Sequence, residues 1–298
     1  VTFITRFAPS PTGPLHLGHA YSAILAYDMA MDAGGDFLLR VEDIDQSRAR
    51  PEWEAQIYDD LQWLGLWWPE PVMRQSERMD TYRKQLDWLW EWDYAFACSC
   101  SRRDVEAAVS APQEGAEPPM GPDGLIYPGT CRNVRSFSGN FAQPENTALR
   151  LFMGTAFPFA DHRVGEEDVF YFTETGEGPK GESGLIEFTA REAIDTIGDV
   201  VLARRDMGTS YHLSVVLDDA AQGVTHVVRG QDLFEATKIH VILQRLLNLP
   251  TPVYHHHRLI RDDAGKRLAK RDDARAIAKY RAEGATPGDI RAMVGLPG

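Results

Sequence analysis

Two groups of side chains in this 298-residue sequence have the types and spacing to handle phosphate. The first is His16-Leu17-Gly18-His19, where the loop Pro9-Ser10-Pro11-Thr12-Gly13-Pro14 runs into an apolar segment of helical spacing. A helix start offers unpaired N–H groups and a partial positive charge, which suits a phosphate chain. Two imidazoles three positions apart project from one side of a first turn and can donate to developing negative charge. Gly18 removes a side chain where a flat base would approach the backbone. Histidine pairs also occur as metal ligands or as solvated surface, and only the position after a first strand favours phosphate. The second group is the basic cluster Lys266-Arg267-Leu268-Ala269-Lys270-Arg271. A charge run is usually a solvated face. Together, however, the two groups could grip a triphosphate from both sides. The sequence has no Walker loop and no G-x-G-x-x-G. Its only cysteines, Cys98, Cys100 and Cys131, are too few for a disulfide scaffold and too clustered for chance. They read either as reduced thiols or as metal ligands in a reducing cytoplasm.

The elements that would position these residues follow from periodicity. Val1 to Ala8 and Phe37 to Val41 read as strands, and Tyr21, Ile24, Leu25 and Met29 as a helix between them. That is a βαβ unit, whose strands are parallel and whose ligands sit beyond the strands' carboxyl ends, where the loop from Arg6 to His19 lies. Helices are predicted from Pro51 and from Met79, and a short one after a capping box at Ser101 and Asp104. The tryptophans at 53, 63, 67, 68, 88, 90 and 92 read as core rather than as a base-stacking surface. Ala111 to Gly129 is a long Pro/Gly-rich loop, and Gly176 to Gly181 a hairpin tip or lid. The βαβ pattern returns with strands at Val200 to Ala203, Leu213 to Leu217 and Val224 to Val228 and a helix from Phe234 to Leu247. Thr286-Pro287-Gly288-Asp289 caps a last helix ended by Gly295.

Length and composition place two domains, or one α/β domain with an insertion, in a soluble chain of 43% hydrophobic and 25% charged residues. No stretch approaches the roughly 18 apolar residues needed to span a bilayer, and the opening residues lack a basic n-region, so no membrane and a cytoplasmic location are expected. A net charge of -13 argues against nonspecific coating of nucleic acid, which needs many Lys and Arg on phosphates. It leaves room for a local basic surface.

Four segments, in order, carry a resemblance. Arg6-Phe7-Ala8-Pro9-Ser10-Pro11-Thr12-Gly13 leading into His16-Leu17-Gly18-His19, Arg40-Val41-Glu42-Asp43-Ile44-Asp45, Val228-Arg229-Gly230-Gln231-Asp232-Leu233, and Arg267-Leu268-Ala269-Lys270-Arg271 resemble class I glutamyl-tRNA synthetases. Within that family the chain is most similar to the truncated branch that glutamylates queuosine in the anticodon of tRNA(Asp), the glutamyl-Q tRNA(Asp) synthetases. Only 28 residues follow Lys270, too few for the anticodon-binding domains of a complete glutamyl-tRNA synthetase, and none is expected. Cys98-x-Cys100 with Tyr127-x-x-x-Cys131 is similar to that branch's structural zinc site, though 26 residues between Cys100 and Tyr127 make a long loop.

The resemblance implies a Rossmann-like α/β catalytic core in two halves, 1–96 and 200–257. Between them lies an inserted acceptor-binding-like subdomain, 97–199, with the zinc module. The signature loop and a short helical segment occupy 258–298. It implies Mg²⁺ with ATP, L-glutamate and queuosine-bearing tRNA(Asp) as partners of a monomer. His16, Gly18, His19 and Lys270 would hold ATP, with His16, His19 and Lys270 stabilising charge. Arg6, Ala8, Ser10, Glu42, Tyr211 and Arg229 would form the glutamate pocket, since two carboxylates call for guanidinium forks and an ammonium for an acid. Arg102, Arg103, Arg132 and Arg135 would face RNA, or are scattered surface charge. The signature usually reads Lys-x-Ser-Lys, and Arg267-Leu268-Ala269-Lys270 keeps its second lysine but not the hydroxyl. Adenylate formation is still expected. The alternatives are a conventional or fragmentary glutamyl-tRNA synthetase charging tRNA(Glu), and a noncatalytic binding paralogue.

Overall fold

The computed structural model describes residues 2–110, 118–132, 143–144, 147–156, 168–261 and 275–297. Strand β1 (Ile4–Phe7), helix α1 (Leu17–Asp32) and strand β2 (Asp36–Val41) form the expected unit, with β1 parallel to β2 and Arg6 opposite Leu38. A short β3 (Met73–Arg74) extends the sheet in parallel beyond β2. On the other side of β1 lies β11 (His226–Gly230), approached through a backbone bond from Thr225 N to the Ile4 carbonyl at 3.0 Å. Next come β12 (Val253–His257) and β8 (Val169–Glu174), both parallel, and β9 (Gly184–Thr189), antiparallel. Thus β8 and β9, which lie within the interval 97–199, hydrogen-bond into the same sheet as the second half of the core.

Helices cover this sheet because their apolar faces have nowhere else to go. α1 and α2 (Pro51–Trp63) bury Ile24, Ile57 and Leu61 in one cluster, with Pro51 starting α2 where a missing N–H costs nothing. α3 (Met79–Glu91) and α7 (Ala236–Leu246) bury Leu86, Ile239 and Leu243 in another. Trp90 is buried and Trp53, Trp63, Trp68 and Trp88 are half-buried, but Trp67 and Trp92 are exposed, so the tryptophans are not uniformly core. A separate antiparallel sheet joins β4 (Ala95–Cys98), β7 (Ala148–Leu151) and β10 (Val201–Ala203). The strand expected at Val200 to Ala203 therefore exists but belongs to this sheet, not to the parallel core. α4 (Arg102–Ser110) starts at the expected Ser101–Asp104 box. A small hairpin, β5 (Met120–Gly121) and β6 (Gly124–Leu125), occupies part of the predicted long loop, whose residues 111–117 lie outside the described residues.

One predicted strand is wrong. Leu213 to Leu217 lies inside α6 (Tyr211–Ala221), in which every residue from His212 to Asp219 is buried. A helix buried all round shows no 3.6-residue period, so a short Val-rich run reads as a strand. The missed cue was Ser210, whose hydroxyl accepts from Leu213 N and starts the helix.

Gly176 to Gly181 does form the tip between β8 and β9. Gly176 packs so tightly on β12 that a Cβ there would sit 2.1 Å from the His256 carbonyl oxygen. α5 (Ala190–Thr196), α8 (Ile277–Ala282) and α9 (Pro287–Val294) complete the chain, α9 with the expected Thr286–Asp289 box and a left-handed Gly295.

Candidate active site

His16 is the N-cap of α1, and the cap is made of imidazoles. Its Nδ1 accepts from Gly18 N at 3.1 Å, while the Nδ1 of His19 accepts from His16 N at 3.1 Å. An imidazole that accepts through Nδ1 carries its proton on Nε2, so both rings are held as Nε2–H donors. They lie with centroids 3.8 Å apart. Gly18 has a steric reason to be glycine: a Cβ there would stand 3.0 Å from Cε1 of the His16 ring folded over it.

The chain's far end returns to this corner. Ala276 bridges His16, and Ile277 N donates to the Leu15 carbonyl at 2.8 Å. Ile260, on the other side of the basic cluster, lines the same cavity as His16. Lys266, Arg267 and Lys270 themselves lie outside the described residues.

That cavity, of about 380 Å³, sits beyond the carboxyl ends of β1, β2 and β11 and brings together Arg6, Ala8, His16, Gly18, His19, Glu42, Tyr211 and Arg229. Ser10 is not among the lining residues. Ser22, Asp232 and His257, which sequence reasoning passed over, are. Ser22 Oγ lies 2.7 Å from His257 Nε2, and His257 Nδ1 lies 2.9 Å from the Arg258 carbonyl. The carbonyl can only accept, so Nδ1 carries the proton and Nε2 accepts from Ser22. Burial brings the His257 ring down to about 4, so it is neutral in neutral solution.

The floor of the cavity is ionic and closed on itself. Asp219 accepts from Arg6 Nε at 3.0 Å and from Arg40 Nη1 at 2.7 Å. Arg40, fully buried, also reaches Glu42 at 3.1 Å and Gln222 at 2.9 Å. Asp218 accepts from Arg78, Gln75 and Tyr82 at 2.6, 2.9 and 2.8 Å. Burial alone would raise the Asp219 carboxyl, but the Arg6 and Arg40 charges hold it below the usual range. At Glu42 burial wins over Arg40 and Arg6, and its carboxyl is raised. The Asp218-Asp219 pair was missed because the segment was read as ending a strand; two adjacent acids after an apolar run were the available signal.

Arg229 differs from Arg6. It is 6% exposed, and its guanidinium donates to His256 Nε2 at 3.0 Å, His240 Nδ1 at 3.1 Å, Thr237 Oγ1 at 2.6 Å and the Leu233 carbonyl at 3.2 Å. None of these is a carboxylate. A buried cation whose partners are all neutral attracts an anion strongly, because the surroundings screen it poorly. His256 is itself backed by Glu174, Nδ1 to Oε2 at 2.5 Å.

The cysteines converge, with Cys131 meeting Cys98 and Cys100 from about 30 residues further along the chain. The three sulfurs lie within 4.8 Å of one another, with Cys100 and Cys131 3.5 Å apart. Tyr127 Oη stands 3.5 Å from Cys98 Sγ and 3.7 Å from Cys100 Sγ. A tetrahedral ion with metal–sulfur bonds of ~2.3 Å needs separations of about 3.5–3.8 Å, so the donor set fits one. Burial pushes the Cys100 thiol up to about 11. Burial acts the same way on Cys131, but hydrogen bonds from Tyr127, Ser99 and Cys100 bring it down to about 6, the thiolate form a metal takes. Beside the cluster is a second cleft of about 650 Å³ lined by Cys100, Arg102, Asp123, Arg150, Arg204 and Arg205 among others. Of the arginines expected at an RNA surface, Arg102 and Arg103 are exposed. Arg132 is instead paired with buried Asp199 at 2.5 Å, and Arg135 lies outside the described residues. Arg204 and Arg205, exposed at this cleft, were not anticipated.

Residues 2–121 and 182–298 match the family model for the catalytic domain of class I tRNA synthetases (E and Q). The chain belongs to this family. Among its relatives in the family, a glutamyl-Q tRNA(Asp) synthetase of Rhodobacter capsulatus is 63% identical over 295 residues, covering 98% of this chain and 100% of that protein. One of Symbiobacterium thermophilum is 39% identical, covering 95% and 82%. A glutamate–tRNA ligase of the same organism is 32% identical, and the match takes in 96% of this chain but 56% of that enzyme. The solved glutamate tRNA ligase of Elizabethkingia meningosepticum, in complex with its amino acid, superposes with a TM-score of 0.72 at 26% identity. This family member spans 99% of its own length in that match and 60% of the ligase. No helix among the described residues is long and apolar enough to cross a membrane.

Proposed function

We propose that this synthetase activates L-glutamate with ATP, without tRNA, and passes the glutamyl group to queuosine in the anticodon of tRNA(Asp). The observation that carries the activation step is the meeting, in one cavity, of a helix start capped by two Nε2–H imidazoles and a guanidinium with no anionic hydrogen-bond partner among the described residues. The tRNA assignment rests on the end-to-end match to a glutamyl-Q tRNA(Asp) synthetase.

In this reading Arg229 and the Nη1 edge of Arg6 take the substrate's carboxylates, Glu42 its ammonium, and Tyr211 supplies a hydroxyl, with Ala8 and Ser10 on the loop beside them. The α-carboxylate of glutamate attacks the α-phosphorus of ATP, the α–β anhydride bond breaks, and its electron pair leaves with pyrophosphate. A carboxylate ionised at neutral pH needs no general base. His16, His19 and Lys270 stabilise the charge that spreads over the phosphates, with Gly18 admitting the nucleotide and Mg²⁺ accompanying it. A hydroxyl of the queuine cyclopentenediol then attacks the acyl carbon, and AMP leaves. Zinc held by Cys98, Cys100, Tyr127 and Cys131 would tie β4 to the segment after β6 as a structural cross-link. The cleft with Arg102, Arg204 and Arg205, together with Arg103, is the RNA-facing side. The interval 97–199 acts as the insertion, and the enzyme works as a cytoplasmic monomer.

The test is pyrophosphate exchange with glutamate and no tRNA, followed by labelled transfer to tRNA(Asp) with and without queuosine and to tRNA(Glu). Exchange without tRNA and transfer only to queuosine-bearing tRNA(Asp) are expected. A strict tRNA requirement with charging of tRNA(Glu) overturns the reading in favour of a glutamate–tRNA ligase, and no adenylate with any amino acid overturns it in favour of a binding paralogue. Lys270→Ala should lower turnover by about two or more orders of magnitude. Metal analysis of protein purified without chelators should return one zinc per chain.

A further inference from the structure

The hydrogen bond that Arg229 makes to His240 is the first link of a chain that leaves the cavity. His240, 2% exposed on α7, receives Arg229 Nη1 on Nδ1 and faces His212 Nδ1 with its Nε2 at 3.1 Å. His212, on the first turn of α6, turns its own Nε2 toward Asp123 Oδ1 at 3.4 Å, in the turn between β5 and β6. The Arg229 end dictates the direction of the two hydrogen bonds. A guanidinium can only donate, so a neutral His240 accepts on Nδ1 and donates from Nε2 to His212 Nδ1, which leaves the His212 Nε2–H facing the Asp123 carboxylate. Burial, then the nearby Arg229 charge, pushes His240 well below its ordinary value, in keeping with that assignment.

A neutral acceptor does for a substrate-binding arginine what an acid could not. It fixes the plane of the guanidinium without neutralising it, and so leaves the charge for the incoming carboxylate. We propose that His240 is a positioning residue for glutamate recognition, and that His212 and Asp123 set its tautomer so that Nδ1 always faces Arg229. This deepens the proposed function and rests on its assignment of Arg229 to a substrate carboxylate. The third element of the chain, Asp123, borders the second cleft rather than the cavity, which puts a determinant of amino acid affinity on the hairpin leading to Tyr127.

The test is steady-state pyrophosphate exchange with the full chain, titrating glutamate and ATP separately, for His240→Leu, His240→Gln, His240→Glu, Asp123→Asn and Arg229→Lys. Losing a hydrogen bond to a charged group should raise the glutamate KM of His240→Leu about tenfold or more, with kcat and the ATP KM nearly unchanged. His240→Gln, which keeps an acceptor, should restore glutamate KM to within about threefold of the parent, and Asp123→Asn should show a smaller rise of the same kind. His240→Glu should bind glutamate least of all, because it neutralises Arg229. If His240→Leu does not fold, the Gln and Glu variants still decide. A Gln variant as impaired as the Glu variant, or equal losses in glutamate and ATP KM, overturns the proposal. If Arg229→Lys raises the glutamate KM and the His240 variants do not, the inference fails while the functional reading stands. If Arg229→Lys also leaves glutamate KM unchanged, the pocket assignment itself fails.

Discussion

Asp60 on α2 offers a measurement whose size can be worked out beforehand. Its side chain is completely buried, neither carboxylate oxygen has a hydrogen-bond partner among the described residues, and burial, with Asp59 adding to it and Arg281 opposing, raises it from 3.8 to about 6. The folded state therefore holds the proton more tightly than the unfolded chain does. The stabilising contribution of the protonated form is complete below pH 3.8 and is lost as pH rises through about 6. A shift of roughly two units corresponds to about 3 kcal/mol of penalty once the group is charged at pH 8. Asp60→Asn removes the charge at nearly constant volume. It should be more stable than the parent by about 2–3 kcal/mol at pH 8, and by only about 1 kcal/mol at pH 4.5, where most of the parent is already protonated when folded. Urea unfolding followed by tryptophan fluorescence at the two pH values gives the difference directly, and contributions from other titrating groups cancel between parent and variant. An Asn variant no more stable than the parent at pH 8, or a difference independent of pH, refutes the reasoning.

The remaining expectations concern the cavity. Asp219→Asn takes from Arg6 and Arg40 the carboxylate they share, leaving Arg40 with Glu42 at 3.1 Å and Asp218 at 4.0 Å, and should cost about 3–5 kcal/mol in a denaturant titration at pH 7. Because the Asp219 carboxyl is held low, the stability it confers is present above the ordinary carboxylate range and lost only as pH falls through its lowered value, so the Asn penalty should shrink in strong acid. Glu42 shifts the other way. Its raised carboxyl should make glutamate KM climb on acidification sooner than an unperturbed acid would, and Glu42→Gln should abolish that limb of the pH profile. Gly18→Ala should displace the His16 ring, 3.0 Å from the new Cβ, and lower turnover about 10- to 100-fold without a comparable loss of thermal stability.

Much of this was readable in the residues. The first βαβ unit follows from β-branched and apolar runs on either side of a helical stripe, and the caps at Ser101 and Thr286 from short polar motifs with a local physical meaning. Those signals live within a few residues of chain, and tertiary contacts did not override them. The gathering of Arg6, His16, Glu42 and Arg229 in one cavity was implied by resemblance and could not be read from spacing, since β11 comes to β1 across more than two hundred residues. What failed was also physical. Tertiary burial erased the periodicity of α6, and with it went Asp218 and Asp219, the anchors of Arg6, Arg40 and Arg78. β10 carries the composition of a core strand but pairs with β7, a choice made by geometry that composition does not encode. His240 and His256 were invisible as partners of Arg229 because their roles depend on ring orientation across two helices and a strand.

The cap on α1 has a consequence for anyone redesigning the protein. Serine, aspartate and asparagine begin helices better than histidine does. A search for sturdier sequences would therefore be drawn to replace His16, and with an acid it would even improve the match to the helix dipole. Each such gain would plant a repelling charge, or remove a donor, where the proposed chemistry needs its opposite. At this one position, ranking variants by folding strength would select steadily against activity.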